Sequence, residues 1–369
     1  MKKSNKLAKE HSCSGVSQVS RSALRLIKQW IRVLLRPLHF IRLPVGFAVY
    51  LIFNKTPAFA YHSMINLFCL TSGRSNDFIS QVIGVFKRPY FISDANGMLG
   101  NMTEAVRRDS VVSTLREKGY YVFENRLPED TCNRLLQYAT SHSCKMRPMD
   151  GDQSGRPVAT IYHRGAPQSV KYYFDMQDLC DDHDIQKILL ADLSLTAVAQ
   201  DYLGTKPVID NVAMWWSTAF SDKPDSIAAQ YFHFDMDRPK WLKFFIYLTD
   251  VETTNGPHTF VAGSHKTGSI PSSLLRKGYA RLMDEEVKVA FDEKNIIEFA
   301  APRGTIIAED TRGLHKGKHV EKDDRLVLQV QFSNSLFGGY YRKASMGTNL
   351  CPELKNNVRQ YPELYAVCL

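Results

Sequence analysis

The chain has 369 residues, of which 44% are apolar and 23% are charged. This composition is typical of a soluble globular protein, and it excludes a largely disordered chain and a polytopic membrane protein. The length suits one large catalytic domain with an appendage, or two ordinary domains.

The net charge of +9 is concentrated at the amino-terminal end of the chain. The first 55 residues contain eleven Lys or Arg and one acidic residue, whereas the other 314 contain 36 basic and 37 acidic residues. A nearly neutral body lacks the basic stripe that binds phosphate backbones, so we expect no nucleic-acid partner. The basic amino-terminal segment is expected to bind a partner that the rest of the chain does not bind.

The seven cysteines are scattered along the chain and form no Cys-x-x-Cys pair. This pattern indicates neither a zinc site nor a redox motif, and it is typical of reduced thiols. We therefore expect a cytoplasmic protein, and whether it also associates with a membrane stays open.

The amino-terminal segment divides into two parts. Residues 1–20 are polar and basic, and we interpret them as a disordered basic tail. Residues 21–95 are predicted to form a helical, basic and apolar extension. It begins with an amphipathic helix whose basic side recurs every three or four residues, at Arg21, Arg25, Lys28, Arg32 and Arg36.

Two interpretations of this extension stay open. Residues 21–53 could make a peripheral contact with a membrane, with the apolar side of the helix in the acyl boundary. Alternatively, the same side could pack on the catalytic domain or on a second subunit, and the oligomeric state is unknown. The apolar runs at 44–53 and 59–70 fall short of the roughly 20 residues that span a bilayer. No cleaved signal peptide is expected either.

Helices and one strand are predicted ahead of the most informative part of the sequence. Thr103 to Lys118 has helical periodicity, a β-rich run follows at 119–123, and a second helix opens near Leu127 and continues to about Thr140. A further helix is expected from Asp192 to Leu203, closed by a glycine.

Short β-rich segments separated by turn residues then continue to residue 332. Many short strands of this kind indicate a barrel or sandwich. The last strand alternates polar residues with Leu, Val and Phe, as a strand with two different faces should. The predicted strands are 208–217, 243–249, 259–261, 296–299, 305–308 and 325–332.

Four residues suggest a metal site. His233 and Asp235 stand two positions apart, so that in an extended segment they project to the same side. His315 follows a predicted strand, and Arg325 begins the last one. Two imidazoles and one carboxylate leave coordination positions open, as non-heme Fe(II) oxygenases require. The planar guanidinium of Arg325 suits a carboxylate of a cosubstrate.

The sequence around these residues resembles the phytanoyl-CoA dioxygenase family of Fe(II)- and 2-oxoglutarate-dependent oxygenases. The resemblance covers roughly residues 103–335. It rests on GYYV (119–122), QYFHFD (230–235), LKFFIYLTDV (242–251), NGP (255–257) and GSHK (263–266), with His315 and Arg325 in register.

The resemblance implies an α+β, mainly β protein. Its core would be a double-stranded β-helix, a jelly-roll or cupin-like barrel flanked by helices, at residues 96–340, with a carboxy-terminal extension at 341–369. By the same resemblance His233, Asp235 and His315 bind Fe(II). Arg325 and Gln230 contact 2-oxoglutarate, with a solvent-facing position as the alternative for Gln230. The carboxylate Asp235 is present, whereas related halogenases have lost it.

The activity implied is that of a dioxygenase that uses Fe(II), 2-oxoglutarate and O2 to hydroxylate a small-molecule substrate, with release of succinate and CO2. The alternatives are a catalytically inactive barrel that serves as a binding module, and a 2-oxoglutarate-independent metal-binding barrel such as a sugar-modifying isomerase. We interpret His258 and His265 as structural. Lys243 is interpreted as a strand-edge residue, with a side chain that points into the barrel as the alternative. Residues 144–190 are expected to form part of a lid over the substrate.

Overall fold

The computed structural model describes residues 36–147, 156–347 and 349–368. The predicted helix at residues 21–36 lies almost entirely outside the described residues. Among these residues, the α-helices of more than three residues are α1 (Arg36–Phe53), α2 (Ala58–Thr71), α3 (Arg74–Phe86), α4 (Ala105–Lys118), α5 (Glu129–Ser141), α6 (Met176–Asp181), α7 (Leu193–Leu203), α8 (Ser272–Leu275), α9 (Asp284–Ala290) and α10 (Pro352–Gln360).

The strands form one large and two small antiparallel sheets. A sheet of eight strands has the order β3-β11-β8-β13-β7-β6-β4-β5, a sheet of three has the order β10-β9-β12, and β1 pairs with β2. The strands are β1 (Asn96–Gly97), β2 (Gly100–Asn101), β3 (Tyr120–Arg126), β4 (Ser143–Met146), β5 (Val158–Ile161), β6 (Lys171–Tyr173), β7 (Val208–Ser217), β8 (Trp241–Tyr247), β9 (His258–Val261), β10 (Ile296–Glu298), β11 (Thr305–Glu309), β12 (His315–Gly317) and β13 (Arg325–Ser333).

The two larger sheets enclose one cavity, because side chains of β7, β8 and β13 line it together with side chains of β9 and β12. Non-consecutive strands are neighbours in both sheets, as in a jelly roll. The expected double-stranded β-helix with flanking helices is therefore confirmed.

Strand β13 lies in the middle of the large sheet, between β7 and β8. Its apolar residues Leu326, Leu328, Val330 and Phe332 are fully buried in the main core, on the side of the sheet that α7 covers. Burying a side chain of this size contributes about 1.5–3 kcal/mol. Arg325, Gln329 and Gln331 on the other face line the cavity, so the predicted difference between the two faces is confirmed.

The helices predicted near residues 103–118, 127–140 and 192–203 are confirmed as α4, α5 and α7. Two of them end where the sequence places a glycine. Gly119 after α4 and Gly204 after α7 both adopt a left-handed conformation, with φ of 87° and 70°. This conformation strains other residues and ends a helix.

Helices α1 and α2 pack on each other, α2 packs on α3, and α1 contacts the segment that follows β13. The helices α1 and α2 approach so closely that a Cβ atom added at Gly46 would lie 2.1 Å from the Cβ of Ala60. Phe47 and Tyr50 of α1 contact the ring of Phe337, at centroid distances of 5.2 and 5.5 Å. The domain limits at residues 96 and 340 remain predictions.

The segment expected to form a lid, residues 144–190, contains three short strands of the large sheet. Strands β4, β5 and β6 extend the large sheet beyond β7. Tyr162, expected in the lid, is buried and stacks on Trp216 at 4.1 Å between ring centroids. The lid remains a prediction, and Lys171 and Tyr173 of this segment line the cavity. These strands have three or four residues, too few for alternation to identify them.

Candidate metal centre

A two-way backbone bridge brings His233 and His315 together although they are far apart in the sequence. The amide of His233 donates to the carbonyl of His315 at 2.9 Å, and the amide of His315 donates back at 2.8 Å. In an antiparallel pair, directly opposed residues place their side chains on the same face. The two imidazole centroids therefore lie 4.3 Å apart.

Asp235 completes the group two residues after His233. Its amide donates to the carbonyl of Thr311 at 2.8 Å, which continues the pairing toward the β11–β12 connection. Its carboxylate lies 3.7 Å from Nε2 of His233 and 3.5 Å from Nε2 of His315. One donor atom from each of the three residues lies within 4.8 Å of the others, so a single metal ion could contact all three.

Hydrogen bonds determine which nitrogen of each histidine faces the centre. Nδ1 of His233 lies 2.9 Å from the carbonyl of Tyr231, and Nδ1 of His315 lies 3.0 Å from that of Gly313. A carbonyl oxygen accepts only from a protonated nitrogen, so Nε2 carries the free lone pair in each neutral ring. Burial lowers the pKa of His233 well below its usual value.

Lys243 holds the carboxylate of Asp235 in its charged form. Its ammonium donates to Oδ2 of Asp235 at 2.6 Å. Although burial alone would raise the pKa of Asp235, the charges of Lys243 and His315 bring it well below the ordinary value. The interpretation of Lys243 as a strand-edge residue is wrong, because β8 lies in the interior of the sheet and Lys243 is buried.

The cavity beside the three residues has a volume of about 630 Å³. Seven basic and three acidic side chains line it among the described residues, so its field favours anionic ligands. The basic residues are Arg147, Lys171, Arg238, Lys243, Lys318, Arg325 and Arg342, and the acidic ones are Asp210, Asp235 and Asp237.

Arg325 is buried in the wall of this cavity with its hydrogen-bonding capacity only partly used. One terminal nitrogen donates to the carbonyl of Gly256, and the other lies 3.4 Å from the hydroxyl of Ser217. Among the described residues, Nε of Arg325 has no partner. A buried donor without a partner is costly, so this guanidinium is suited to a ligand that supplies acceptors.

Gln230 also lies in the cavity wall and is 4% exposed, so its interpretation as a solvent-facing residue is wrong. Its side-chain oxygen accepts from the amide of Asp225 at 2.7 Å. A contact of Gln230 with a cosubstrate remains a prediction, since this hydrogen bond already fixes part of the amide.

His258 and Glu309 form a buried pair that sequence reasoning missed. Nε2 of His258 lies 2.9 Å from the Glu309 carboxylate, and the ring of His258 lies 5.6 Å from that of His315. Burial lowers the pKa of His258 and raises that of Glu309 to about 8. No local pattern indicated this pair, because β9 has only four residues. His258, interpreted as structural from the sequence, stands on a strand that faces the cavity.

Lys171, a basic residue of the segment expected to form a lid, lines the cavity. Its ammonium lies 4.9 Å from the ring centroid of Trp215. Burial and the charges of Arg147 and Arg325 lower its pKa to about 8. The interpretation of His265 as structural agrees with its contact with the carbonyl of Arg116 at 3.2 Å.

A jelly roll with two histidines and one carboxylate converging beside its central cavity defines the class of mononuclear non-heme metal enzymes. The chain belongs to the phytanoyl-CoA dioxygenase family, whose sequence model, described as Phytanoyl-CoA dioxygenase (PhyH), matches residues 115–320. The family resemblance of the sequence motifs is thus confirmed. A comparison with curated proteins finds no match.

Solved structures similar to the chain include three that illustrate the range of the fold. The epimerase SnoN from nogalamycin biosynthesis is 15% identical with a TM-score of 0.42, over 62% of this chain and 83% of that one. EctD from S. alaskensis, with 2-oxoglutarate and 5-hydroxyectoine, is 18% identical with a TM-score of 0.42, over 67% and 82%. HygX from Streptomyces hygroscopicus, with nickel and 2-oxoglutarate, is 13% identical with a TM-score of 0.43, over 65% and 92%.

Proposed function

We propose that this protein is an Fe(II)- and 2-oxoglutarate-dependent dioxygenase that hydroxylates a small organic substrate, with release of succinate and CO2. The observation that carries the proposal is the convergence of His233, Asp235 and His315 in the same cavity as the partly unpaired guanidinium of Arg325. Neither feature alone would indicate this chemistry.

The three side chains fit Fe(II). Two imidazole nitrogens and one carboxylate oxygen form the donor set of mononuclear non-heme iron sites. Both imidazoles are oriented by hydrogen bonds from Nδ1 to backbone carbonyls, as is usual for metal-binding histidines. The pair of Asp235 and Lys243 keeps the carboxylate deprotonated, which metal binding requires.

The cavity fits a dicarboxylic cosubstrate. The guanidinium of Arg325 offers a planar set of donors, and its Nε lacks a partner among the described residues. The hydroxyl of Ser217 lies beside the same guanidinium and could share a bound carboxylate. The excess of basic side chains in the lining favours a dianion such as 2-oxoglutarate.

Fe(II) with 2-oxoglutarate supplies the oxidising chemistry, which protein side chains do not provide. The contribution of this chain is to orient the reactants and to exclude water. His233, Asp235 and His315 would hold the metal, and Arg325 would bind the far carboxylate of the cosubstrate. The presence of Asp235 favours hydroxylation over halogenation.

The test is binding and turnover of 2-oxoglutarate by the Fe(II)-loaded protein. We expect Asp235→Ala to abolish turnover because it removes a metal ligand. We expect Arg325→Ala to weaken 2-oxoglutarate binding by about 2–5 kcal/mol, the effect of removing one partner of a buried charged hydrogen bond. Succinate formation and isothermal titration calorimetry measure the two effects.

Matched controls come from the same cavity. Asp237, two residues after Asp235, also approaches Lys243 at 3.9 Å but is not part of the three-residue group, so Asp237→Ala should retain iron. Arg147 is paired with Asp225, so Arg147→Ala should still bind 2-oxoglutarate. Metal binding without any binding of 2-oxoglutarate would favour the isomerase alternative, and binding of neither would favour the inactive module.

A further inference from the structure

Helix α1 has a continuous apolar face that no described part of the protein covers. Leu38, Ile41, Val45, Ala48 and Ile52 recur at spacings of three and four, so they lie on one side of the helix. All five are exposed, Ile41 by 62% and Ile52 by 73%. These five residues are called the outer stripe below.

The opposite side of α1 already packs on the protein. Leu43, Gly46 and Tyr50 are buried, and Tyr50 and Phe47 contact Phe337 at the end of the large sheet. The loop after α1 is also attached, because the hydroxyl of Thr56 accepts from the amide of Gly338 at 3.0 Å. Packing on the catalytic domain therefore accounts for one side of α1 and leaves the outer stripe without a function.

The charges around the outer stripe indicate what covers it. Helix α1 contains no acidic residue, and Arg36 and Arg42 are its charged side chains. The 35 residues that precede α1 add eight more Lys or Arg and only one acidic residue. Basic charge next to an exposed apolar helix face is the combination that binds anionic lipid headgroups and the acyl boundary together.

We propose that the outer stripe inserts into the surface of an anionic phospholipid bilayer and holds the enzyme there. This extends the proposed function by giving the catalytic domain a location, and it requires neither iron nor 2-oxoglutarate. Of the chain's described helices, α1 is the one long and apolar enough to cross a membrane. Its 18 residues span about 27 Å, slightly less than the hydrocarbon core of about 30 Å.

The packing of α1 favours a helix that lies in the membrane plane. A helix that crossed the bilayer would place its buried side in lipid and would have to leave Phe337 and its contacts with α2. A helix in the interface keeps those contacts and immerses the outer stripe alone. This is the geometry of a monotopic amphipathic helix.

The loop after α1 contacts the segment that leads to the cavity wall. Gly338, which binds Thr56, is two residues from Tyr340, and Tyr340 lines the cavity while being 91% exposed. The next two residues, Tyr341 and Arg342, line the cavity as well. The segment after β13 therefore contacts both the loop after α1 and the cavity.

The experiment is cosedimentation of the full chain with vesicles of phosphatidylcholine and phosphatidylglycerol, compared with pure phosphatidylcholine. The parent protein should bind the anionic vesicles. The variant Ile41→Glu/Val45→Glu/Ile52→Glu should lose about ten-fold or more in affinity, because each charge must be removed from the acyl boundary. The matched control is Val106→Glu/Val289→Glu, which places charges at two exposed valines elsewhere.

Retained binding in the control with lost binding in the outer-stripe variant supports the proposal. Failure of the parent to bind anionic vesicles overturns it, and so does equal binding by parent and variant. A parent dimer that the variant converts to a monomer, with no vesicle binding, also overturns it and assigns the stripe to a second copy. Circular dichroism checks the fold of each variant. If the Glu variant misfolds, Ile41→Ser/Val45→Ser/Ile52→Ser is judged by the same criteria.

Discussion

At the scale of single residues, each of the three candidate metal ligands has one polar atom that already makes a hydrogen bond within the protein. His233 and His315 each use Nδ1 on a carbonyl, and Asp235 uses Oδ2 on Lys243, so that Nε2 of both rings and Oδ1 of the carboxylate are available. Arg325 is the reverse case, a buried group with a donor still unused. The atoms that lack a protein partner are therefore the ones expected to contact the metal ion and the cosubstrate.

Arg325→Lys tests whether shape matters beyond charge. Lysine retains the positive charge but loses the planar fork, so it cannot make two parallel bonds to a carboxylate. We expect the Kd for 2-oxoglutarate to rise about ten-fold or more. Titration calorimetry on the metal-loaded protein measures this, with Arg147→Lys as the control. An unchanged Kd would assign Arg325 a structural role.

Glu309 should make stability depend on pH. Its pKa is about 8 in the folded protein, above the ordinary value of 4.5, so the folded state keeps a proton that the unfolded state releases. The stabilisation is complete below pH 4.5 and is lost as pH rises through about 8. The slope approaches about 1.4 kcal/mol per pH unit for one proton.

Glu309→Gln should remove this slope while retaining a polar contact with His258. Urea unfolding of the metal-free protein between pH 5 and about pH 8 compares parent and variant, and their difference isolates the Glu309 carboxyl. Parallel pH profiles for the two proteins would show that Glu309 does not hold the proton.

At the scale of elements, the connection between β11 and β12 positions His315. Arg312 in this connection is fully buried beside Asp310 and also reaches Asp77 of α3. The hydroxyl of Tyr202 donates to Oδ2 of Asp310 at 2.5 Å, the same oxygen that accepts from the Arg312 guanidinium at 2.8 Å. Despite burial, which alone would raise the pKa of Asp310, Arg312 brings it to about 2. The pair therefore stays charged across the physiological range.

Asp310→Asn should destabilise the fold because it leaves the buried Arg312 without its main counter-charge. We expect a loss of about 3–5 kcal/mol in the free energy of unfolding. Asp310→Asn/Arg312→Met should recover part of this loss, since both charges are then removed. Chemical denaturation measures both. An equal loss in the single and double variants would show that the charge pair is not the cause.

At the scale of the whole molecule, a metal ion would join segments that are distant in the chain. Its donors come from the segment before β8 and from β12. The backbone pairing of His233 with His315 links that segment to the three-stranded sheet. A ligand that binds the folded state alone stabilises all of it, by about 2.7 kcal/mol at a concentration of 100 times its Kd.

We expect Fe(II) to raise the Tm of the protein and a chelator to reverse the rise. A stabilisation of about 1 kcal/mol shifts the Tm of a large domain by roughly 2–4 °C, so the effect should be easy to measure by anaerobic scanning fluorimetry. Asp235→Ala should show no shift, and Asp237→Ala should respond like the parent. A shift retained in Asp235→Ala would place the metal elsewhere.

The sequence by itself determined the local elements and the chemistry of the candidate centre. Periodicity predicted the strands that became β7, β8, β11 and β13, because side-chain alternation is a local property of the backbone. Residue type predicted the donor set, because few side chains can contact a metal or hold a carboxylate. Asp235 and Arg325 were therefore identifiable before their positions were known.

Only the tertiary structure decided which face of each strand borders the cavity. Alternation distinguishes two faces of β8 and β9, but it does not say whether the polar one meets solvent or another sheet. Closure of the barrel by distant strands buried Lys243 against Asp235 and His258 against Glu309. Likewise, contacts with Phe337 decided which side of α1 is buried and left the outer stripe exposed. Such contacts join residues far apart in the chain, and a local pattern contains no information about them.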